Sequence, residues 1–157
     1  MKVSEIMTRS VIAAQRDAKV SDIARLMIQN DISGVPVVDE MNRVVGIITE
    51  SDLVVRNAYV HFPTFLQVLD ARIYLESPRH FEEELRRALG TTAEDVMTRE
   101  VHTIDAEADV RELATLMVEK KVNPVPVTQK GRLVGIVSRS DIIRYMVEQE
   151  SAQGIQT

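Results

Sequence analysis

Hydroxyl and carboxylate side chains recur three residues apart at two places, in Thr49-Glu50-Ser51-Asp52 and in Ser138-Arg139-Ser140-Asp141. An ionised carboxylate only accepts hydrogen bonds, whereas a hydroxyl both donates and accepts. At a helix start this spacing resembles a capping box, in which hydroxyl and acid satisfy backbone amides that the helix leaves unpaired. The same helix N-terminus favours a bound anion. Such a stretch can serve structure, a ligand or both. Other chemistry has no visible carrier. His61, His80 and His102 show no metal-ligand spacing. No Ser-His-Asp order, glycine-rich phosphate loop or Gly-x-Ser-x-Gly elbow is present, so no catalytic group can be named. Glu82-Glu83-Glu84 with Arg86-Arg87 reads as a charged helix face laced by i,i+3 and i,i+4 pairs.

Composition narrows the field further. With 157 residues, 45% apolar and 27% charged, the chain has room for one ordinary domain or two small lobes sharing a core. A net charge of −5 argues against nucleic acid as the main partner. The absence of cysteine removes disulfides, thiolate nucleophiles and cysteine metal sites together. The first residues lack an apolar signal core, and no run approaches the roughly 20 apolar residues of a spanning helix. A cytoplasmic protein with no membrane partner is the expectation, and the seven methionines are expected to fill the core.

The elements that must position the two acidic stretches come from a duplication. Met7-Thr8-Arg9 matches Met97-Thr98-Arg99, Val35-Pro36-Val37 matches Val125-Pro126-Val127, and Val45-Gly46-Ile47 matches Val134-Gly135-Ile136. Val20, Ile23, Ala24, Leu26 and Met27 recur at helical spacing and predict a helix with one buried face. Val35–Val38 and Val44–Ile48 are short β-branched runs that read as a hairpin. The second copy closes its hairpin through Gln129-Lys130-Gly131-Arg132, one residue shorter, with a glycine suited to a tight turn. Extended segments are expected over Val11–Ala14 and Val101–Ile104, and further helices over Leu53–Ala58 and Ile142–Glu148. Each unit is thus strand, helix, strand, strand, helix. Lobes of about 50 residues bury too little apolar surface alone, so they are expected to pack sheet to sheet. Pro36 and Pro126 are expected on edge strands, where a missing donor costs nothing.

Between the copies, Ser77-Pro78 opens a predicted helix over 78–89 that Gly90 ends. Upstream, Phe62–Leu69 and Ile73–Leu75 are apolar enough to cover the core or line an interface. The organisation expected is a first lobe over 1–60, a connector over 61–90, a second lobe over 91–150 and a disordered tail over 151–157.

The doubled pattern of Met-Thr, Gly34-Val35-Pro36-Val37-Val38 or Pro124-Val125-Pro126-Val127, Val-Gly-Ile and Thr/Ser-x-x-Asp resembles a pair of cystathionine β-synthase (CBS) domains, or Bateman module, of the small bacterial stand-alone type. The resemblance implies an α/β fold of two pseudo-twofold related lobes. It also implies two clefts able to take an adenosine compound: AMP, ADP, ATP or S-adenosylmethionine. By motif, Asp52 and Asp141 would accept the ribose hydroxyls, a suitable task for a carboxylate facing two vicinal donors. Thr49 and Ser138 would contribute hydroxyls. The loops Ser33-Gly34-Val35-Pro36 and Asn123-Pro124-Val125-Pro126 would offer backbone groups and apolar walls to the adenine, and Thr103 matches a position that contacts ligand. Relatives that grip several phosphates place His or Arg in the loop before the hairpin. This chain has Ser33-Gly34 and Asn123-Pro124 there, which argues against strong triphosphate binding. Arg139, Arg144, Arg56, Arg9 and Arg99 are the candidates to compensate. The second cleft is expected to be the better one, combining Thr103, Ser138, Arg139 and Asp141.

The function expected is a non-enzymatic regulatory module with no obligatory cofactor, forming a homodimer and signalling to another protein. The alternative is a ligand-free interaction scaffold that dimerises through the connector and terminal helices.

Overall fold

The computed structural model of the chain describes residues 1–58 and 92–153. The connector helix over 78–89, the apolar stretch 62–75 and the tail from residue 154 lie outside the described residues. Residues 151–153, expected in that tail, instead form the last turn of the final helix.

Each repeat builds one lobe. In the first, β1 (Ala14–Gln15) precedes α1 (Val20–Gln29), the hairpin β2 (Gly34–Val38) and β3 (Val44–Thr49), and α2 (Glu50–Ala58). The spacing of Val20, Ile23, Ala24 and Met27 puts all four on the buried face of α1. Leu26, expected beside them, stands at the margin and is 36% exposed. The second lobe follows α3 (Ala93–Val96) with β4 (Ile104–Asp105), α4 (Val110–Lys120), β5 (Val125–Gln129), β6 (Arg132–Val137) and α5 (Arg139–Gln153). Both sheets have the order outer, central, outer: β1-β2-β3 and β4-β5-β6. The first pair in each is parallel and the second antiparallel. Lys130 and Gly131, at φ 51° and 77°, make the tight β5–β6 turn that the glycine predicts.

Two expectations need correction. Pro36 and Pro126 lie in the central strands, not at edges. They are tolerated because their partners look elsewhere. Pro36 pairs with Ile47, whose amide and carbonyl are both bonded to Thr98, and Pro126 pairs with Ile136, which is bonded in the same way to Thr8. The outer parallel strands are also shorter than predicted. Ala14 pairs with Val37 and Ile104 with Val127. One step earlier, Ala13 and Thr103 would face prolines that have no N–H to donate, and pairing stops.

The leading segments cross between the lobes. Val3 donates to the Ala108 carbonyl and Ser4 to that of Ala106, both at 2.9 Å, so residues 3–7 pack on the second lobe. Ala93 and Glu94 donate to Ala18 and Arg16 at 2.8 and 2.9 Å, which sets α3 on the first lobe. The cores follow this exchange. Val3 is buried with Ile104, Leu113, Met117, Val125 and Val137, while Ala93 and Met97 are buried with Ile23, Met27, Val35 and Ile48. Met97 lies so close on Gly46 that a Cβ there would come within 2.7 Å of its Cγ. Met7 lies on Gly135 in the same way, at 2.9 Å. Glycine is required at both positions for that approach. The lobes also meet where Gly34 faces the Pro124 ring, and where Asn42 exchanges hydrogen bonds with the Leu133 backbone.

Candidate functional site

The exchange creates two clefts with walls from both lobes. In the first, Thr8, Ser10, Val11 and Ile12 face Asp31–Gly34 and the start of α5, with Ser138, Ser140 and Asp141, around a cavity of about 470 Å³. In the second, Thr98, Glu100, Val101 and His102 face Lys121–Pro124 and the start of α2, with Thr49, Ser51 and Asp52, around about 190 Å³. The two linings correspond almost residue for residue across the repeat. Drug-sized ligands occupy cavities of roughly 300–1,000 Å³, so only the first is open to that extent.

The Thr49–Asp52 stretch forms a capping box, with Asp52 N–H on Thr49 Oγ1 at 3.4 Å, and Ser138–Asp141 forms its carboxylate half, Asp141 N–H going to the Ser138 carbonyl at 3.2 Å. The Thr49 amide and hydroxyl donate to Asp52 Oδ2 at 2.8 and 3.1 Å, and those of Ser138 donate to Asp141 Oδ2 at 2.7 and 2.8 Å. The same device recurs at Thr92 and Asp95, which cap α3, so Thr-x-x-Asp by itself does not mark a cleft. Asp52 and Asp141, unlike Asp95, each line one of the two cavities, and their second oxygens are also engaged. Asp52 Oδ1 accepts from the Thr98 hydroxyl at 2.8 Å, and Asp141 Oδ1 accepts from Arg144 at 3.1 Å. A carboxylate has about four acceptor positions, so these oxygens retain capacity.

The loops before the hairpins are tied to the helices that follow. Glu50 N–H donates to the Ser33 carbonyl at 3.0 Å, and Arg139 N–H to Asn123 Oδ1 at 2.9 Å. Ser33 and Gly34 line the larger cavity, while Asn123 and Pro124 line both. Thr49 and Asp52 line the smaller cavity, Ser138 and Asp141 the larger.

Several residues expected at the site stand elsewhere. Val35, Pro36, Val125 and Pro126 are buried in the central strands and line neither cavity. Both faces of the central strands are covered there, so adjacent side chains are buried alike. Thr103 is exposed just ahead of β4 and lines neither cavity. Its neighbours 98–102 belong to the Asp52 cleft, so Thr103 does not join Ser138 and Asp141. Arg139 lines neither cavity, and Arg144 reaches Asp141 from outside the lining. Arg9 and Arg99 turn back to the carbonyls of Ser4 and Glu94, and the Arg56 side chain lies outside the described residues. Missed altogether were Ser10, Asp31, Glu50, Glu100, His102 and Lys121. Asp31, Glu50 and Lys121 lie beside a helix end, but no local feature shows that any of the six faces a cavity. Among the described residues no group of His, Asp and Glu could hold a metal. Among them, too, no helix is long and apolar enough to cross a membrane.

Two strand-helix-strand-strand-helix lobes with twin clefts floored by a hydroxyl–acid cap define a tandem-repeat α/β module. The family model for the CBS domain matches residues 3–58 and 93–148, and the chain belongs to that family as a tandem pair. It is 33% identical to an uncharacterized protein of Methanocaldococcus jannaschii, covering 94% of this chain and 92% of that one. The CBS domain of a membrane protein from Sphaerobacter thermophilus is similar at 30% identity and TM-score 0.70, over 92% of this chain and 86% of that one. A CBS domain pair solved with 5′-methylthioadenosine and S-adenosyl-L-methionine is similar at 26% identity and TM-score 0.68, over 95% and 98% of the two chains.

Proposed function

We propose that the chain is a non-enzymatic regulatory module that binds an adenosine-containing ligand between its lobes. The observation that carries this reading is Asp141. Its side chain is 12% exposed, one oxygen is fixed by the cap, and it borders a cavity of about 470 Å³ built by both repeats. A ribose diol offers two vicinal donors to such a carboxylate. The similar CBS pair that holds two adenosine compounds supports the ligand class. Because each cleft has walls from both lobes, a ligand there interacts differently with each relative lobe position, and that difference is what shifts a population.

Thermal shift with AMP, ADP, ATP, S-adenosylmethionine and NAD tests the ligand claim. At a hundredfold excess over Kd, binding adds about 2.7 kcal/mol of stability. Silence from the whole panel overturns it. Asp141→Ala is expected to weaken binding, read by calorimetry, more than Asp52→Ala does, because the Asp52 cavity is smaller; an equal or reversed effect removes that ranking.

The output is proposed to pass through a homodimer to another protein. Ile143, Met146 and Val147 stand 56–60% exposed at i, i+3 and i+4 on α5, and Val54 is 60% exposed on α2. In the competing scaffold reading the connector and the terminal helices dimerise without ligand. Light scattering with and without the bound compound separates the two readings.

A further inference from the structure

We infer that the Asp141 cavity selects an adenosine compound carrying no phosphate, its 5′ end uncharged or cationic. The inference rests on the adenosine reading above and narrows it. The two clefts share their layout but not their charge. Of the charged side chains lining the larger cavity, Asp31, Glu50 and Asp141, all are acidic; among the described residues no Lys, Arg or His joins them. The corresponding positions of the smaller cavity tell a different story. Lys121 stands where the first cleft has Asp31, so a cation there partly offsets Asp52 and Glu100, and an imidazole, His102, stands where the first cleft has Ile12.

Cations near Asp141 do not reverse this. Arg144 spends its guanidinium on Asp141 Oδ1 at 3.1 Å, with the side chain 67% exposed and outside the lining. Arg139 contributes its amide to Asn123, and its side chain also stays outside. With the ribose diol on Asp141, a 5′ phosphate enters the same cavity carrying close to two negative charges. Asp31 and Glu50 line that cavity with no counter-cation in the lining, so their charge opposes the phosphate, most strongly at low ionic strength. An uncharged 5′ group avoids that repulsion, and a positive one gains from it.

Adenosine and AMP differ only in the phosphate and are the probes of choice. Calorimetry on the full chain at low ionic strength is expected to give adenosine at least tenfold tighter binding than AMP at the site abolished by Asp141→Asn. The double substitution Asp31→Asn, Glu50→Gln is expected to narrow that gap about tenfold by strengthening AMP more than adenosine. Added salt shrinks the original gap. Both substituted side chains are exposed, and asparagine tolerates the left-handed backbone of Asp31, at φ 50°, so the fold is kept. AMP binding as tightly as adenosine, with equal loss in Asp141→Asn, overturns the selectivity and leaves the adenosine reading standing. Failure of both compounds to bind overturns both. If Asp141→Asn does not fold, an adenosine-to-AMP ratio unmoved by the double substitution overturns the inference unaided.

Discussion

Oδ1 of Asp52 is held by a hydroxyl that arrives from the other repeat, whereas Oδ1 of Asp141 is held by an arginine of its own helix. The twin motifs are therefore unequal in what already holds the second carboxylate oxygen. Thr98→Val removes one charge-assisted hydrogen bond at an exposed position and is expected to lower stability by about 1 kcal/mol in urea denaturation. A change below the error of that measurement refutes a tie between the segments through Thr98. Acid sensitivity should arise at other carboxylates. The Arg111 guanidinium and amide hold the Asp109 carboxyl below its usual range, and the Arg43 amide does the same for Asp39. For a carboxyl lowered on folding, the stabilisation is complete above the unfolded value near 4 and fades as pH falls through the folded value. Melting temperature should therefore drop below about pH 4, less steeply in Asp109→Asn than in the native chain. Both capping aspartates were legible in the sequence because hydroxyl and acid at this spacing have a local use. Lys121 and His102 were not, since nothing in the neighbouring residues tells that either side chain faces a cavity.

At the level of elements, the period of the apolar residues predicted α1 and the β2–β3 hairpin, because burial of one face imposes that period. It failed at β1 and β4. There the strand ends where the neighbouring strand offers proline, a property of the partner rather than of the residues themselves. Glycine has a comparable hidden reason. Gly46 and Gly135 read as ordinary strand residues until Met97 and Met7 are seen lying on them. Gly46→Ala is expected to cost about 1–3 kcal/mol by overpacking. Pairing it with Met97→Ala should recover part of that loss, giving a coupling in a double-mutant cycle; strict additivity contradicts the contact.

For the whole molecule, the exchange of leading segments makes each lobe depend on the other repeat. Val3 is fully buried in the second core, so Val3→Ala is expected to cost about 2 kcal/mol. Hydrogen exchange should locate the loss. Deleting residues 1–8 should accelerate exchange in β4–β6 and α4 more than in β1–β3, although β1 is the nearest strand along the chain. The opposite pattern contradicts the exchange.

The amino-acid sequence alone determined the duplication, the order of elements within each lobe and the capping role of Thr49–Asp52 and Ser138–Asp141, because period, turn residues and short-range hydrogen bonds are local. Only the tertiary structure decided which lobe each leading segment joins, and with it which residues share a cleft. Met7 and Met97 are the same residue, as are Gly46 and Gly135, so either pairing satisfies the local chemistry equally. The crossing of the chain in space selects Met7 on Gly135 and Met97 on Gly46, and so separates an acidic cavity from one containing lysine and histidine.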